Sequence, residues 1–171
     1  MRRINIARQE GVAMRRLNPG YVEGIRSATN GCPYFSLLSM KIVDLELSRS
    51  LLEIDLGQKH LQPFGQVHGG VFSSIVDAAA WWAVFTEADE DMGMTTVELK
   101  LNYLAPASGR GKMIARGRSI KLGRTLGLGD AEIIDEEGKL LAHGTSTMMV
   151  IPKLGLGNFA GLPPKFVNEG D

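Results

Sequence analysis

Val67-His68-Gly69-Gly70-Val71-Phe72-Ser73-Ser74-Ile75-Val76-Asp77, running on through Ala78-Ala79-Ala80-Trp81-Trp82-Ala83-Val84-Phe85, is the stretch on which the fold turns. From Val71 to Phe85 only Ser73, Ser74 and Asp77 are polar, so a helix here has almost no solvent face and must be wrapped by the rest of the chain. The three polar groups are spaced to share one patch on that helix. A membrane span is the competing reading, but the run falls short of about 18–20 apolar residues and Asp77 interrupts it. A carboxylate inside such a helix costs several kcal/mol, on the order of magnitude, unless it is hydrogen-bonded. Asp77 therefore has either partners in the core or a catalytic use. Just upstream, His68-Gly69-Gly70 lies where the helix begins. Glycine there leaves first-turn N–H groups uncovered, an arrangement that binds an anion or polarises a carbonyl.

With 171 residues and 44% hydrophobic content, the chain fits one globular domain. Its 19 basic and 19 acidic side chains cancel, so attraction for an anionic ligand must come from a local cluster, and no nucleic-acid or membrane partner is expected. Cys32 is the sole cysteine, which excludes an internal disulfide and points to a reducing, cytoplasmic setting. Met1-Arg2-Arg3-Ile4-Asn5-Ile6 opens with basic residues but no apolar segment of a secretory signal follows. His60, His68 and His143 show no metal-ligand spacing, so neither metal nor cofactor is expected.

Outward from the central helix, residues 1–34 read as a basic arm followed by a short helix after the Asn18-Pro19-Gly20 turn. Ser36–Leu47 and Ser50–Leu56 read as two strands with a tight turn at Ser48-Arg49. After the helix, Thr95–Leu104 alternates, with Val97, Leu99, Leu101 and Tyr103 on one face and Thr96, Glu98, Lys100 and Asn102 on the other. Arg110–Lys121, Arg124–Ile134 and Lys139–Ile151 follow through short turns, which predicts a four-strand antiparallel meander. Residues 152–171, rich in Gly and Pro, read as an irregular tail laid on a neighbouring subunit. The expected class is α+β: one curved antiparallel sheet around one long buried helix, with a short N-terminal helix.

The run His60-Leu61-Gln62-Pro63-Phe64-Gly65-Gln66-Val67-His68-Gly69-Gly70, with Asp77 following, resembles the hotdog-fold acyl-CoA thioesterases of the phenylacetyl-CoA and 4-hydroxybenzoyl-CoA type. The resemblance covers roughly residues 35–151 and extends to Tyr103-Leu104-Ala105-Pro106-Ala107 and to Leu122-Gly123-Arg124-Thr125. It implies hydrolysis of an acyl-CoA to free acid and CoA. Asp77 would be base or nucleophile, the Gly69 N–H would polarise the carbonyl, Thr96 would stand near the attacking water and His68 would orient the thioester. Gln62 takes the place where the family often has Asn. Gly70 and Ser73 fall on the implied substrate-binding side, as do Gly123 and Thr125. A hotdog hydratase or dehydratase and a non-catalytic acyl-CoA sensor are the alternatives.

Independently of the resemblance, thioester hydrolysis needs a donor aimed at a developing oxyanion and a carboxylate to attack or to activate water, and this helix start and Asp77 supply both. Between Ser108 and Gly129 there is no acidic residue, whereas Arg110, Lys112, Arg116, Arg118, Lys121 and Arg124 are present. Arg110, Lys112, Arg116 and Arg118 share parity and would form one face of a strand. Lys121 and Arg124, beside the Gly123 turn, are the better candidates for the phosphates of CoA. Gly69 and Asp77 lie about 12 Å apart along a continuous helix at 1.5 Å per residue, too far for one chain to bring both to a single carbonyl. The expected assembly is thus a homodimer with composite sites; the resemblance implies that such dimers pair further into a homotetramer, a dimer of dimers.

Overall fold

The computed structural model describes residues 15–154 and 161–168. The helix α3 spans Gly69–Phe85 and is preceded by α1 (Pro19–Asn30) and α2 (Pro33–Leu38). Eight strands accompany them: β1 Arg15–Leu17, β2 Met40–Glu46, β3 Arg49–Asp55, β4 Met92–Tyr103, β5 Lys112–Leu122, β6 Leu126–Asp135, β7 Leu140–Pro152 and β8 Phe166–Asn168. Six of them form one antiparallel sheet in the order β2-β3-β5-β6-β7-β4. The helix α3 touches every strand of that sheet, and Ile75, Val76, Ala79, Ala80, Ala83 and Val84 are fully buried. The apolar run is thus wrapped as its composition requires.

Packing this close depends on small residues at the crossing. A Cβ on Gly117 would run into the Ala79 carbonyl, and one on Gly129 would stand 2.7 Å from the Ala80 carbonyl. Strand glycines facing helix alanines let the two backbones approach. Ser50 uses the same proximity to donate to the Ala79 carbonyl at 2.7 Å.

Three local expectations are corrected. Residues 36–38, expected to open the first strand, are instead the end of helix α2. Pro33 presets the first helical turn, and Ser39 in the left-handed region at φ 51 ends it before β2 begins. Second, the last four sheet strands do not form a simple meander. The link 104–111 carries the chain across the sheet, so β4 pairs with β7 at one edge while β5 joins β3; placing β3 and β4 far apart is what lets α3, which connects them, be covered by the strands between. Third, the alternation of β4 breaks at a bulge between Thr96 and Glu98. The extra residue, Val97, is exposed, and Thr96 shares the inner face with Leu99 and Leu101.

The expected basic arm falls largely outside the described residues, as do Leu156 and Phe159 of the expected tail. Within them, the termini make a two-stranded ribbon, β1 with β8, strands too short to leave a periodic signature. Beside it, the fully buried Lys165 donates to the carbonyls of Phe85 and Ala88, both at 2.6 Å, and lies 3.9 Å over the Phe85 ring. The C-terminal stretch therefore caps α3 of its own chain. Among the described residues no helix is long and apolar enough to cross a membrane.

Candidate active site

His68 is the N-cap of α3. Its Nδ1 accepts the Gly70 N–H at 2.9 Å and its carbonyl accepts the Val71 N–H at 3.0 Å. A ring nitrogen that accepts carries no proton, so the neutral imidazole holds its hydrogen on Nε2, the outward nitrogen of an exposed side chain. These bonds consume the neighbours and leave the Gly69 N–H without an acceptor among the described residues. An uncovered N–H at a helix N-terminus is a ready donor to an oxyanion. Gly70, expected on the substrate-binding side, has its N–H already engaged by His68. The Gly69 face is covered by Tyr103: a Cβ there would lie 3.2 Å from its Oη, which is itself 3.2 Å from Ser73 Oγ.

This start of the helix is held from behind. The backbone N–H of His68 donates to the His60 carbonyl at 2.8 Å. His60 is 1% exposed, its Nδ1 accepts from Gly57 N at 3.0 Å, and its Nε2 lies 2.9 Å from the Leu38 carbonyl. That pattern fixes the tautomer with hydrogen on Nε2 and ties the loop to the end of α2.

Asp77 lies two turns farther on. It is half-buried, and its Oδ1 accepts from Thr96 Oγ1 at 3.0 Å and from Ser146 Oγ at 2.7 Å. Both hydroxyls hold one oxygen and leave Oδ2 unengaged among the described residues, which orients the carboxylate and keeps its second oxygen available. Ser146, fully buried on β7, escaped the sequence reading. Its signal was there: Ala142, Gly144, Ser146, Met148 and Val150 form the inner face of β7, and a single hydroxyl among them needs a partner.

The remaining expected residues fall into other places. The Gln62 side-chain oxygen accepts the Phe64 N–H of its own loop, so that amide braces the loop. Lys121 and Arg124 are exposed beside the β5–β6 turn, where the Gly123 N–H closes on the Leu126 carbonyl at 2.8 Å, and neither makes an ion pair with a described residue. Thr125, also exposed, receives the Val150 N–H on its carbonyl. Lys112, Arg116 and Arg118 do line one strand face, but they pair across strands with Glu53, Glu132 and Asp130. The face is neutralised and solvated; Arg110, expected on the same strand face, lies exposed before β5 begins and, like Lys121 and Arg124, makes no ion pair with a described residue. Among the described residues no cluster could hold a metal ion.

A cleft of about 420 Å³ follows the half-buried side of α3 past Asp77 to Trp82. Its aromatic end is built by Trp81, which stacks on Phe85 with centroids 4.8 Å apart and donates from Nε1 to the Met94 carbonyl at 3.3 Å.

Residues 64–142 match the family model described as the thioesterase superfamily. A protein of Saccharolobus solfataricus that carries an esterase name is 30% identical over 117 residues, covering 68% of this chain and 82% of that one. The 1,4-dihydroxy-2-naphthoyl-CoA hydrolase of Listeria monocytogenes is 28% identical over 116 residues, 68% of this chain and 94% of that enzyme. Among solved structures, a thioesterase from Haemophilus influenzae superposes with a TM-score of 0.71 at 25% identity, over 79% of this chain and 93% of that one.

Proposed function

The chain belongs to the thioesterase superfamily and is a hydrolase of acyl-CoA thioesters, and on that premise we propose that Asp77 carries the chemistry with the Gly69 N–H as oxyanion donor. The observation behind this reading is the Asp77 carboxylate itself: one oxygen is tied to Thr96 and Ser146, and the other is free in the cleft. That oxygen takes a proton from water or attacks the thioester carbon directly. In either route the carbonyl electrons move to oxygen, the Gly69 N–H holds the resulting negative charge, and collapse breaks the C–S bond; the CoA thiolate leaves and takes up a proton, and in the direct route water then opens the anhydride left on Asp77 to give the free acid. His68 Nε2–H is a second donor at the same helix end and orients the thioester. Lys121 and Arg124 meet the phosphates of CoA.

One chain does not supply both halves. Gly69 is the first residue of the same continuous helix as Asp77, so the two are about 12 Å apart along the axis. The half-buried positions of α3 before its last turn, Gly69, Ser73, Ser74, Asp77, Ala78 and Trp81, fall on one side, next to β4, an edge of the sheet. A second copy laid against that side would place its helix start beside this Asp77, and the homodimer would hold two composite sites.

The test is release of free thiol from a panel of aryl and aliphatic acyl-CoAs by wild type and Asp77→Asn. The variant should fold normally and lose on the order of 10²–10⁴-fold in kcat. Equal turnover would return Asp77 to a structural role. A single turnover in ¹⁸O-water that leaves label in the Asp77 carboxylate identifies direct attack, with water opening the resulting anhydride at the Asp77 carbon.

A further inference from the structure

We propose that Phe64 of one copy closes the apolar end of the partner copy's cleft, as a specificity-determining residue contributed across the dimer. This deepens the composite-site reading above and rests on it. Phe64 is 90% exposed, against 64% for Leu37, the next most exposed large apolar side chain among the described residues. The turn that carries it is braced at every step. Leu61 bridges to Val67, the Gln62 N–H donates to the Gln66 carbonyl at 2.8 Å and the Gly65 N–H to the Gln62 carbonyl at 2.9 Å. Gly65, at φ 80, supplies the left-handed residue that reverses the chain. The Gln62 side chain accepts the Phe64 N–H, so Gln62 is a positioning residue for the ring. The hairpin is then strapped to the start of α3: the Val67 N–H donates to the Ala107 carbonyl at 3.0 Å and the His68 N–H to the His60 carbonyl at 2.8 Å. A phenyl ring is thus held out at the tip of a fixed hairpin, uncovered by its own chain.

Symmetry carries that ring to the partner's cleft. Gly69 of each copy can meet Asp77 of the other only if the two α3 helices run antiparallel, because a twofold axis parallel to them would set equal residues at equal heights. The axis then passes at the level of Ser73, midway between the two, and the hairpin that precedes Gly69 lies toward the Phe85 end of the partner's helix. Trp81 stands about 6 Å beyond Asp77 in that direction, at 1.5 Å per residue. Within one chain the ring cannot serve this end, since Trp81 lies about 18 Å along the axis from Gly69, and Phe64 is not among the residues that line its own chain's cleft. The end it would cover is apolar, formed by Ala78, Trp81, Trp82 and Leu99, and all of these but Trp82 are half-buried. A ring laid there removes water from any acyl group long enough to pass Asp77.

Phenylacetyl-CoA and octanoyl-CoA carry acyl groups that pass Asp77, and acetyl-CoA does not. Phe64→Ala should raise KM roughly 10-fold for the first two with kcat held, and leave KM for acetyl-CoA within about 2-fold. Phe64→Leu, which keeps an apolar side chain, should recover most of the loss. A heterodimer of Gly69→Pro and Asp77→Asn chains identifies which copy supplies the ring, because its one intact site takes Gly69 from the Asp77→Asn chain and Asp77 from the Gly69→Pro chain. Phe64→Ala added to the Asp77→Asn chain should raise KM for octanoyl-CoA as in the homodimer. Added to the Gly69→Pro chain, it should leave that KM unchanged. The reverse assignment, equal effects from both chains, or a fall in kcat with KM unchanged would overturn the inference while leaving hydrolysis at a composite site standing. A folded heterodimer without activity would remove the composite site and this inference together.

Discussion

Ser146 and Thr96 give Asp77 its orientation from two strands that are far apart in sequence and paired in space. A hydrogen bond to a charged group is worth about 1.5–3 kcal/mol. If the hydroxyls position the carboxylate, Ser146→Ala lowers kcat by roughly 10-fold with KM little changed, and the double variant Thr96→Val/Ser146→Ala loses more than either single change. Steady-state kinetics on one acyl-CoA settles it; a rise in KM alone would assign the pair to substrate binding. Arg124 makes the complementary case. Arg124→Ala should raise KM several-fold for an acyl-CoA and leave the matching acyl-pantetheine, which lacks the nucleotide, unaffected. Equal effects on both would remove Arg124 from phosphate contact.

At the scale of elements, the position of the site follows from how α3 lies on the sheet. Gly117 and Gly129 admit the Ala79–Ala80 backbone, and the adjacent turn of the helix then presents Asp77 to Ser146 and Thr96. Gly117→Ala forces a methyl into the Ala79 carbonyl, which should cost about 1–3 kcal/mol. Gly57→Ala is the control, since an added Cβ there meets nothing within 4 Å and the backbone is extended at φ −165. Urea denaturation should show a lower midpoint for the first variant and a nearly unchanged one for the second. Comparable losses in both would argue against close backbone packing as the reason for glycine at 117.

For the whole molecule, the buried Lys165 links stability to pH. Burial, with Arg15 adding to it and Asp89 and Glu90 opposing, pulls its ammonium down to about 7. The unfolded chain keeps that proton to about pH 10.4, so between these values the unfolded state binds more protons and stability rises with pH. Wild type should gain about 3 kcal/mol between pH 6.5 and 9.5 relative to Lys165→Met; a constant difference across that range would refute the assignment. Above about pH 10 the trend reverses, because burial raises Tyr21 to about 12, with Glu90 adding to the shift, and the unfolded phenol ionises first. Assembly is tested by mixing Gly69→Pro chains, which lack the donor, with Asp77→Asn chains. Each parent should be inactive, and the heterodimer should recover one intact site, near half the wild-type rate per dimer. Verified, folded heterodimers without activity would confine the chemistry to one protomer.

The central helix, the turn chemistry at Gly123, and the carboxylate within the helix were legible in the sequence because each depends on local pattern: an almost unbroken apolar run, glycine where the chain must reverse, one charge where none belongs. The uncovered N–H at Gly69 was legible for the same reason, as a helix start is a local event. Other features were decided only in three dimensions. The crossover that sends β4 to the far edge, the bulge at Val97 that turns Thr96 inward, and the meeting of Ser146 with Asp77 depend on which strands pair. Pairing is fixed by burial of the whole helix, not by any one strand's alternation. Lys165 is the extreme case. In sequence it is a cation in a Gly- and Pro-rich stretch, and only packing against Phe85 and the carbonyls at the end of α3 gives a buried ammonium something to bond.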